Sequence, residues 1–173
     1  MIVSLEWLKD YTDINVSPEE FCDRMIMSGS NLETMEHVGC DMEKVVVGKI
    51  LKIEKHPDAD KLVVCQLDVG EKEPVQIVTG APNVFEGAYV PVALDGSRIP
   101  GPLHGQPKQE GGVKIKAGKL RGVESRGMLC SFGELGFIEK VVPVNQRDGI
   151  WILNGEYPVG MDFAKALGLE DYI

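Results

Sequence analysis

The chain has 173 residues, 43% of them hydrophobic, which suits one domain, or a small domain with an attachment, and excludes a disordered segment. Its 18 lysines and arginines face 27 aspartates and glutamates, and the net charge of −9 counts against tight, non-specific nucleic-acid binding by the molecule as a whole. No apolar run reaches about 18 residues and the first residues carry no basic or long apolar segment, so the sequence predicts neither a spanning helix nor a signal peptide. The four cysteines, Cys22, Cys40, Cys65 and Cys130, form no C-x-x-C pair. That spacing argues against a zinc ribbon or a disulfide scaffold and predicts free thiols in a reducing cytoplasm.

Residues 1–40 read as α plus β. Leu5, Trp7, Leu8 and Tyr11 suit a short amphipathic helix with Ser4 as its N-cap. Ser17-Pro18-Glu19-Glu20 is a stronger start signal, with a Ser cap, a Pro at the first helical position and a Glu three residues after the cap. Phe21, Met25 and Ile26 continue at helical spacing, Gly29 ends the helix, and residues 32–38 read as a short strand.

From residue 45 the period changes to two. Val45, Val47, Lys49, Leu51 and Ile53 fall on one face of a strand over 45–54. His56-Pro57-Asp58-Ala59-Asp60 breaks it as a turn, and residues 61–69 resume with Val63, Cys65, Leu67 and Val69 on one side. Further strands are predicted over 75–79 and 89–94, followed by a Gly/Pro-rich loop over 95–112, a basic stretch, and a closing segment at 127–131. Five short strands within roughly 90 residues fit an OB-fold, a small β-barrel that serves as an oligonucleotide platform. Residues 149–153 read as a strand and 162–167 as a short helix stopped by Gly168. The fold class expected is mainly β with α+β flanks. A five-stranded OB barrel, residues 41–148, is inserted in a small α+β domain made by 1–40 and 149–173.

The charge is unevenly spread. Residues 1–44 hold three basic and ten acidic side chains, 45–137 hold twelve and eleven, and 138–173 hold three and six. Lys114, Lys116, Lys119, Arg121 and Arg126 gather in one stretch with a single acid, Glu124, among them. Screening over about 8 Å at physiological salt lets such a patch act locally on a polyanion despite the total. If each segment is extended, Lys114 and Lys116 share one face and Lys119 and Arg121 share another. The competing reading is an ordinary solvated surface.

Three signatures resemble a known family. They are His56-Pro57-Asp58-Ala59-Asp60-Lys61-Leu62, Gln76-Ile77-Val78-Thr79-Gly80-Ala81-Pro82-Asn83-Val84, and Lys119-Leu120-Arg121-Gly122-Val123-Glu124-Ser125-Arg126-Gly127-Met128. In order and spacing they are similar to the tRNA-binding OB domain. The opening Ser4-Leu5-Glu6-Trp7-Leu8 and the tail Asp148-Gly149-Ile150-Trp151-Ile152-Leu153 are similar to those of bacterial-type phenylalanyl-tRNA synthetase beta subunits. The resemblance implies a tRNA-binding, non-catalytic segment of a longer cytoplasmic chain. It implies that this chain works with an alpha subunit in an α2β2 ligase that uses ATP and magnesium, with no cofactor on the segment itself. It also implies that Ser125 and Met128 lie on the RNA-facing surface beside Arg126; from the residues alone they read equally as a turn hydroxyl and a core Met. Asn83, after Pro82, reads either as a turn residue or as an amide presented to a base edge. The tRNA-contacting set expected is Asn83, Lys114, Lys116, Lys119, Arg121, Ser125, Arg126 and Met128.

Two rival roles remain at this stage: a free-standing dimeric tRNA-binding chaperone, and a barrel that serves as a structural spacer. His56 with Asp58 and Asp60 has a metal-like look, but with no second His or Cys cluster nearby a structural turn is the better reading. His37 and His104 lack triad partners, and no phosphate-cradling G-x-x-x-x-G-K-[ST] loop is present. With 6% aromatic residues, recognition by backbone shape is expected rather than an aromatic stacking platform.

Overall fold

The computed structural model describes residues 2–39, 41–103 and 111–173. Cys40, His104 and the part of the expected loop at 104–110 lie outside the described residues. The chain divides into two compact units, Met1–Cys40 with Gly168–Ile173, and Asp41–Leu167.

The smaller unit holds helices α1 (Leu5–Lys9) and α2 (Pro18–Met27) and strand β1 (His37–Val38), which pairs antiparallel with the last strand of the chain at Asp171–Tyr172. Both helix starts follow their sequence signals. Ser4 Oγ accepts from Trp7 N at 2.9 Å and Ser17 Oγ from Glu20 N at 3.2 Å, so each cap satisfies an otherwise unpaired first-turn amide. Gly29 follows α2 at φ 92, a left-handed position where glycine carries no steric cost. The strand expected over 32–38 is confined to His37–Val38, because its partner offers only two residues for the ladder.

The larger unit begins with β2 (Glu43–Lys55), β3 (Val63–Asp68), β4 (Val75–Thr79) and β5 (Tyr89–Ile99). It continues with β6 (Val113–Lys114), β7 (Gly118–Leu120), β8 (Val123–Ser125) and β9 (Gly127–Leu129). The sheet runs β4-β3-β2-β5-β6, with β9 also on β5, and every pairing is antiparallel. Its open edge at β4 meets the segment between β8 and β9, where Arg126 N donates to Gln76 O at 2.9 Å. The ring is thereby nearly closed, and the OB barrel expected from the strand count is the fold observed. Ile50, Cys65, Leu67, Ile77, Val90, Val92 and Leu129 fill its interior. Each buried aliphatic side chain of this size contributes about 1.5–3 kcal/mol of transfer free energy.

Three expectations change. The five alternate residues assigned to one face of β2 do not share one burial state: Val45 and Val47 are buried while Leu51 is 46% exposed. A register shift between Ile50 and Lys52 is one cause, since an extra residue turns the following side chains to the opposite face. The other is that β2 is covered on both sides, by the barrel interior and by α3 (Phe163–Ala166). Strand β5 runs on to Ile99, so residues 95–99 are strand rather than loop. Residues 149–153 make one isolated bridge, Leu153 to Tyr89, instead of a strand.

The larger unit runs on to Leu167. Residues 149–167 belong with the barrel because their apolar side chains pack there: Ile150 joins the core, and Trp151 stacks on Phe132 with centroids 3.9 Å apart and meets Phe163 edge-on at 5.1 Å. Gly168–Ile173, with the final strand β10 (Asp171–Tyr172), returns to the smaller unit.

Candidate nucleic-acid interface

The basic stretch folds into two differently built pieces. In the first, Val113 and Ile115 are buried and Lys114 and Lys116 are exposed, the alternation expected of an extended segment. Lys114 sits opposite Arg98 of β5 in the ladder. Arg98 is half-exposed and its Nε lies 3.9 Å from Glu43 Oε2, a solvent-screened pair worth about 0–1 kcal/mol. Arg98 therefore belongs to the same cationic ridge as Lys114 and Lys116. Sequence reasoning missed it because Asp95-Gly96 looked like the end of the strand; the signal was the continuing alternation in Ser97, Arg98 and Ile99.

The second piece is a hairpin. β7 and β8 pair with Leu120 opposite Val123, leaving Arg121-Gly122 as a two-residue loop. Arg121 has φ 46 and Gly122 φ 88. Two successive left-handed residues define a type I′ turn, whose twist matches that of the flanking strands. Arg121 is thus the apex of a turn rather than part of an extended segment, and it does not share a strand face with Lys119. Lys119 stands opposite Glu124 across the hairpin. All of β7 is exposed, as is Arg121, so the two cations project from the same outer strand and tip.

The Ser125-Arg126-Gly127-Met128 signature divides by task. Ser125 is buried; its Oγ accepts from Val78 N at 3.1 Å and donates to Gly127 O at 3.0 Å. Gln76 Nε2 donates to Glu124 O at 2.8 Å beside it. A Cβ on Gly127 would run into Ala93 O, so glycine is needed where the chain crosses from β4 to β5. Met128 is half-buried opposite Ala93. Ser125, Gly127 and Met128 hold the barrel shut. Only the Arg126 side chain points away, with its Nε 3.3 Å from Glu124 Oε1, beside a hollow lined also by Lys44, Glu71 and Asp95.

Asn83 is committed elsewhere. Its Nδ2 donates to Ile150 O at 2.8 Å and its Oδ1 accepts from Ile150 N at 3.0 Å. Both ends of the amide tie the 80–88 loop to the tail segment, and a side chain at Gly149 would occupy the amide's position. The structure therefore brings Lys114, Lys116, Lys119, Arg121 and Arg126 to the surface, adds Arg98, and gives Asn83 and Ser125 internal bonding partners.

His56 is 5% exposed at the end of the β2–β3 turn. Asp58 N donates to its Nδ1 at 3.0 Å, which places the ring proton on Nε2; Nε2 then donates to Leu120 O at 3.0 Å. Both ring nitrogens are occupied by backbone groups. Among the described residues, no group of three or more His, Cys, Asp or Glu side chains is placed to hold a metal ion.

A family described as "Putative tRNA binding domain" matches residues 45–161, which take in nearly all of the barrel, the hairpin and the tail as far as Met161. The chain belongs to this tRNA-binding domain family. Its curated relatives carry the name phenylalanine–tRNA ligase beta subunit. The one from Clostridium acetobutylicum is 47% identical over 99% of this chain and 20% of the relative. Those from Latilactobacillus sakei and Staphylococcus haemolyticus are 45% and 46% identical over 100% of this chain and 20% of theirs. The chain therefore spans about a fifth of the length of the beta subunits it resembles. A solved structure, the C-terminal domain of Plasmodium vivax p43, is 25% identical over 72% of this chain and 65% of its own, with a TM-score of 0.42. The family's barrel is here a frame, and the cations it displays lie on strand edges and on a hairpin.

Proposed function

We propose that this chain is the tRNA-capturing barrel of a bacterial-type phenylalanine–tRNA ligase beta subunit, and that it binds without catalysing. Lys119 and Arg121 contact the tRNA backbone from the hairpin, Arg126 from the segment that follows it, and Lys114, Lys116 and Arg98 from the ridge. The domain doing this is Asp41–Leu167, with its tail included. The ligase works in the cytoplasm as an α2β2 assembly, and its ATP and magnesium are held by other regions; the residues described here are left with no part in that chemistry.

The observation that carries this reading is Arg121. A left-handed backbone costs a non-glycine L-residue roughly 1–2 kcal/mol, and asparagine or glycine would be the relaxed choice at this position of a type I′ turn. Among the described residues, the exposed Arg121 guanidinium is held by no hydrogen bond or ion pair that would offset that cost. It suits a phosphate contact, as does its neighbour Lys119. The anionic flanks leave the contact to this patch, so affinity is modest and salt-sensitive.

The test is a titration of the intact ligase with tRNA across a range of salt concentrations, comparing the natural protein with Arg121→Glu/Arg126→Glu. Each lost phosphate contact flattens the slope of log K against log salt by about 0.7 to 0.9. A weaker complex with a flatter slope is expected. An unchanged affinity and slope would make the barrel an architectural spacer.

A further inference from the structure

We propose that His56 is a positioning residue for tRNA, a latch that holds the cationic hairpin in its binding position. The inference rests on the reading of that hairpin as a tRNA-contacting element. The hairpin needs such a latch. Strand β7 pairs with β8 alone, all three of its residues are exposed, and a lone two-stranded hairpin is marginally stable in water. Its β8 side is fixed to β4 through Ser125 and Glu124. Its β7 side is fixed at Leu120, between Lys119 and Arg121, by the bond from His56 Nε2.

The base of the latch is itself held. His56 N donates to Leu62 O at 3.2 Å and Leu62 N to Ala59 O at 3.3 Å, closing the turn around Pro57. Asp58 N fixes the ring's tautomer and orientation. The imidazole thus connects a closed turn of the barrel to the one carbonyl that lies between the two hairpin cations. Holding those cations in place before tRNA arrives removes an ordering cost from binding.

Two isosteric substitutions separate the bonds. His56→Gln places an amide N–H near the Nε2 position and keeps a donor toward Leu120 O. His56→Asn places its amide near Nδ1, keeps an acceptor for Asp58 N, and cannot reach Leu120. Both are made in the intact ligase, with tRNA affinity and its salt slope measured beside hydrogen exchange of the hairpin and barrel amides. His56→Asn is expected to weaken tRNA binding about fivefold to tenfold, the scale of one good contact, and to speed exchange in β7 while the β2–β4 amides stay protected. His56→Gln is expected to stay within about twofold of the natural protein. Adding Lys119→Ala/Arg121→Ala to His56→Asn is expected to cost less than it does in the natural protein, because the latch acts through those cations.

Equal affinity for the Gln and Asn variants would overturn the proposal, as would full additivity with the double alanine change. If Lys119→Ala/Arg121→Ala alone leaves binding unchanged, the reading of the hairpin as a tRNA contact fails. If it weakens binding and His56→Asn does not, the latch alone fails.

Discussion

At the hairpin apex Arg121 holds φ 46 beside Gly122 at φ 88. Arg121→Asn relaxes the backbone, since asparagine tolerates this region well. It is expected to leave the barrel as stable or up to about 1 kcal/mol more stable by denaturant unfolding, and to weaken tRNA binding. Lower stability would refute the strain assignment. Residue identity was legible in the sequence and residue task was not. The cluster from Lys114 to Arg126 was visible as charge, and five of its cations are exposed as expected. Ser125 and Asn83 were visible only as polar side chains next to a motif. That one caps Val78 N and the other brackets Ile150 depends on strands brought together across the fold, which spacing along the chain does not show.

Elements with local signals were readable. Both helix caps and the helical stop at Gly29 follow from neighbours in sequence. The bulge in β2 and the two-residue length of β1 were not readable, because each is set by a distant partner strand. β10 supplies a testable case of such distance. Burial pushes the Asp171 carboxyl up, but hydrogen bonds from Ser4 Oγ and from the amides of Glu6, Tyr172 and Leu5 outweigh it and hold the group below its ordinary value of 3.8. A depressed folded pKa stabilises above the unfolded value and is lost as pH falls through the folded one. The β1–β10 pairing is therefore expected to loosen as pH drops below 3.8, measured by exchange of the Glu36 and Ile173 amides that flank it. In Asp171→Asn this pH dependence should be absent.

For the whole molecule, the net charge of −9 hides its distribution: residues 45–137 are close to neutral, and their cations gather between Lys114 and Arg126. The cysteine spacing predicts free thiols, and among the described residues Cys22, Cys65 and Cys130 form no disulfide. Burial pushes the Cys65 thiol up to about 11 and drives Cys130 up further, with Glu134 adding to it. A thiol whose folded pKa is raised stabilises the fold below its unfolded value of 9.0 and loses that contribution as pH rises through the folded value. At pH 8, alkylation should label Cys22 in the native protein. Cys65 and Cys130 should label only on unfolding, so their modification reports opening of the barrel. Fast labelling of either under native conditions would mean that the barrel is looser than its packing indicates.

The central claim is that the family signature is split, with Ser125 closing the barrel, Asn83 tying the 80–88 loop to the tail, and Lys119 and Arg121 meeting tRNA. The most direct test measures unfolding free energy and tRNA affinity side by side for Ser125→Ala and Asn83→Ala against Lys119→Ala and Arg121→Ala. The first pair leaves buried or bridging backbone groups unpaired and is predicted to cost about 1–3 kcal/mol of stability each. The second pair is predicted to keep stability within about 0.5 kcal/mol while weakening tRNA binding and flattening its salt dependence. Loss of affinity in Ser125→Ala or Asn83→Ala at unchanged stability, with Lys119→Ala and Arg121→Ala binding normally, would contradict the account.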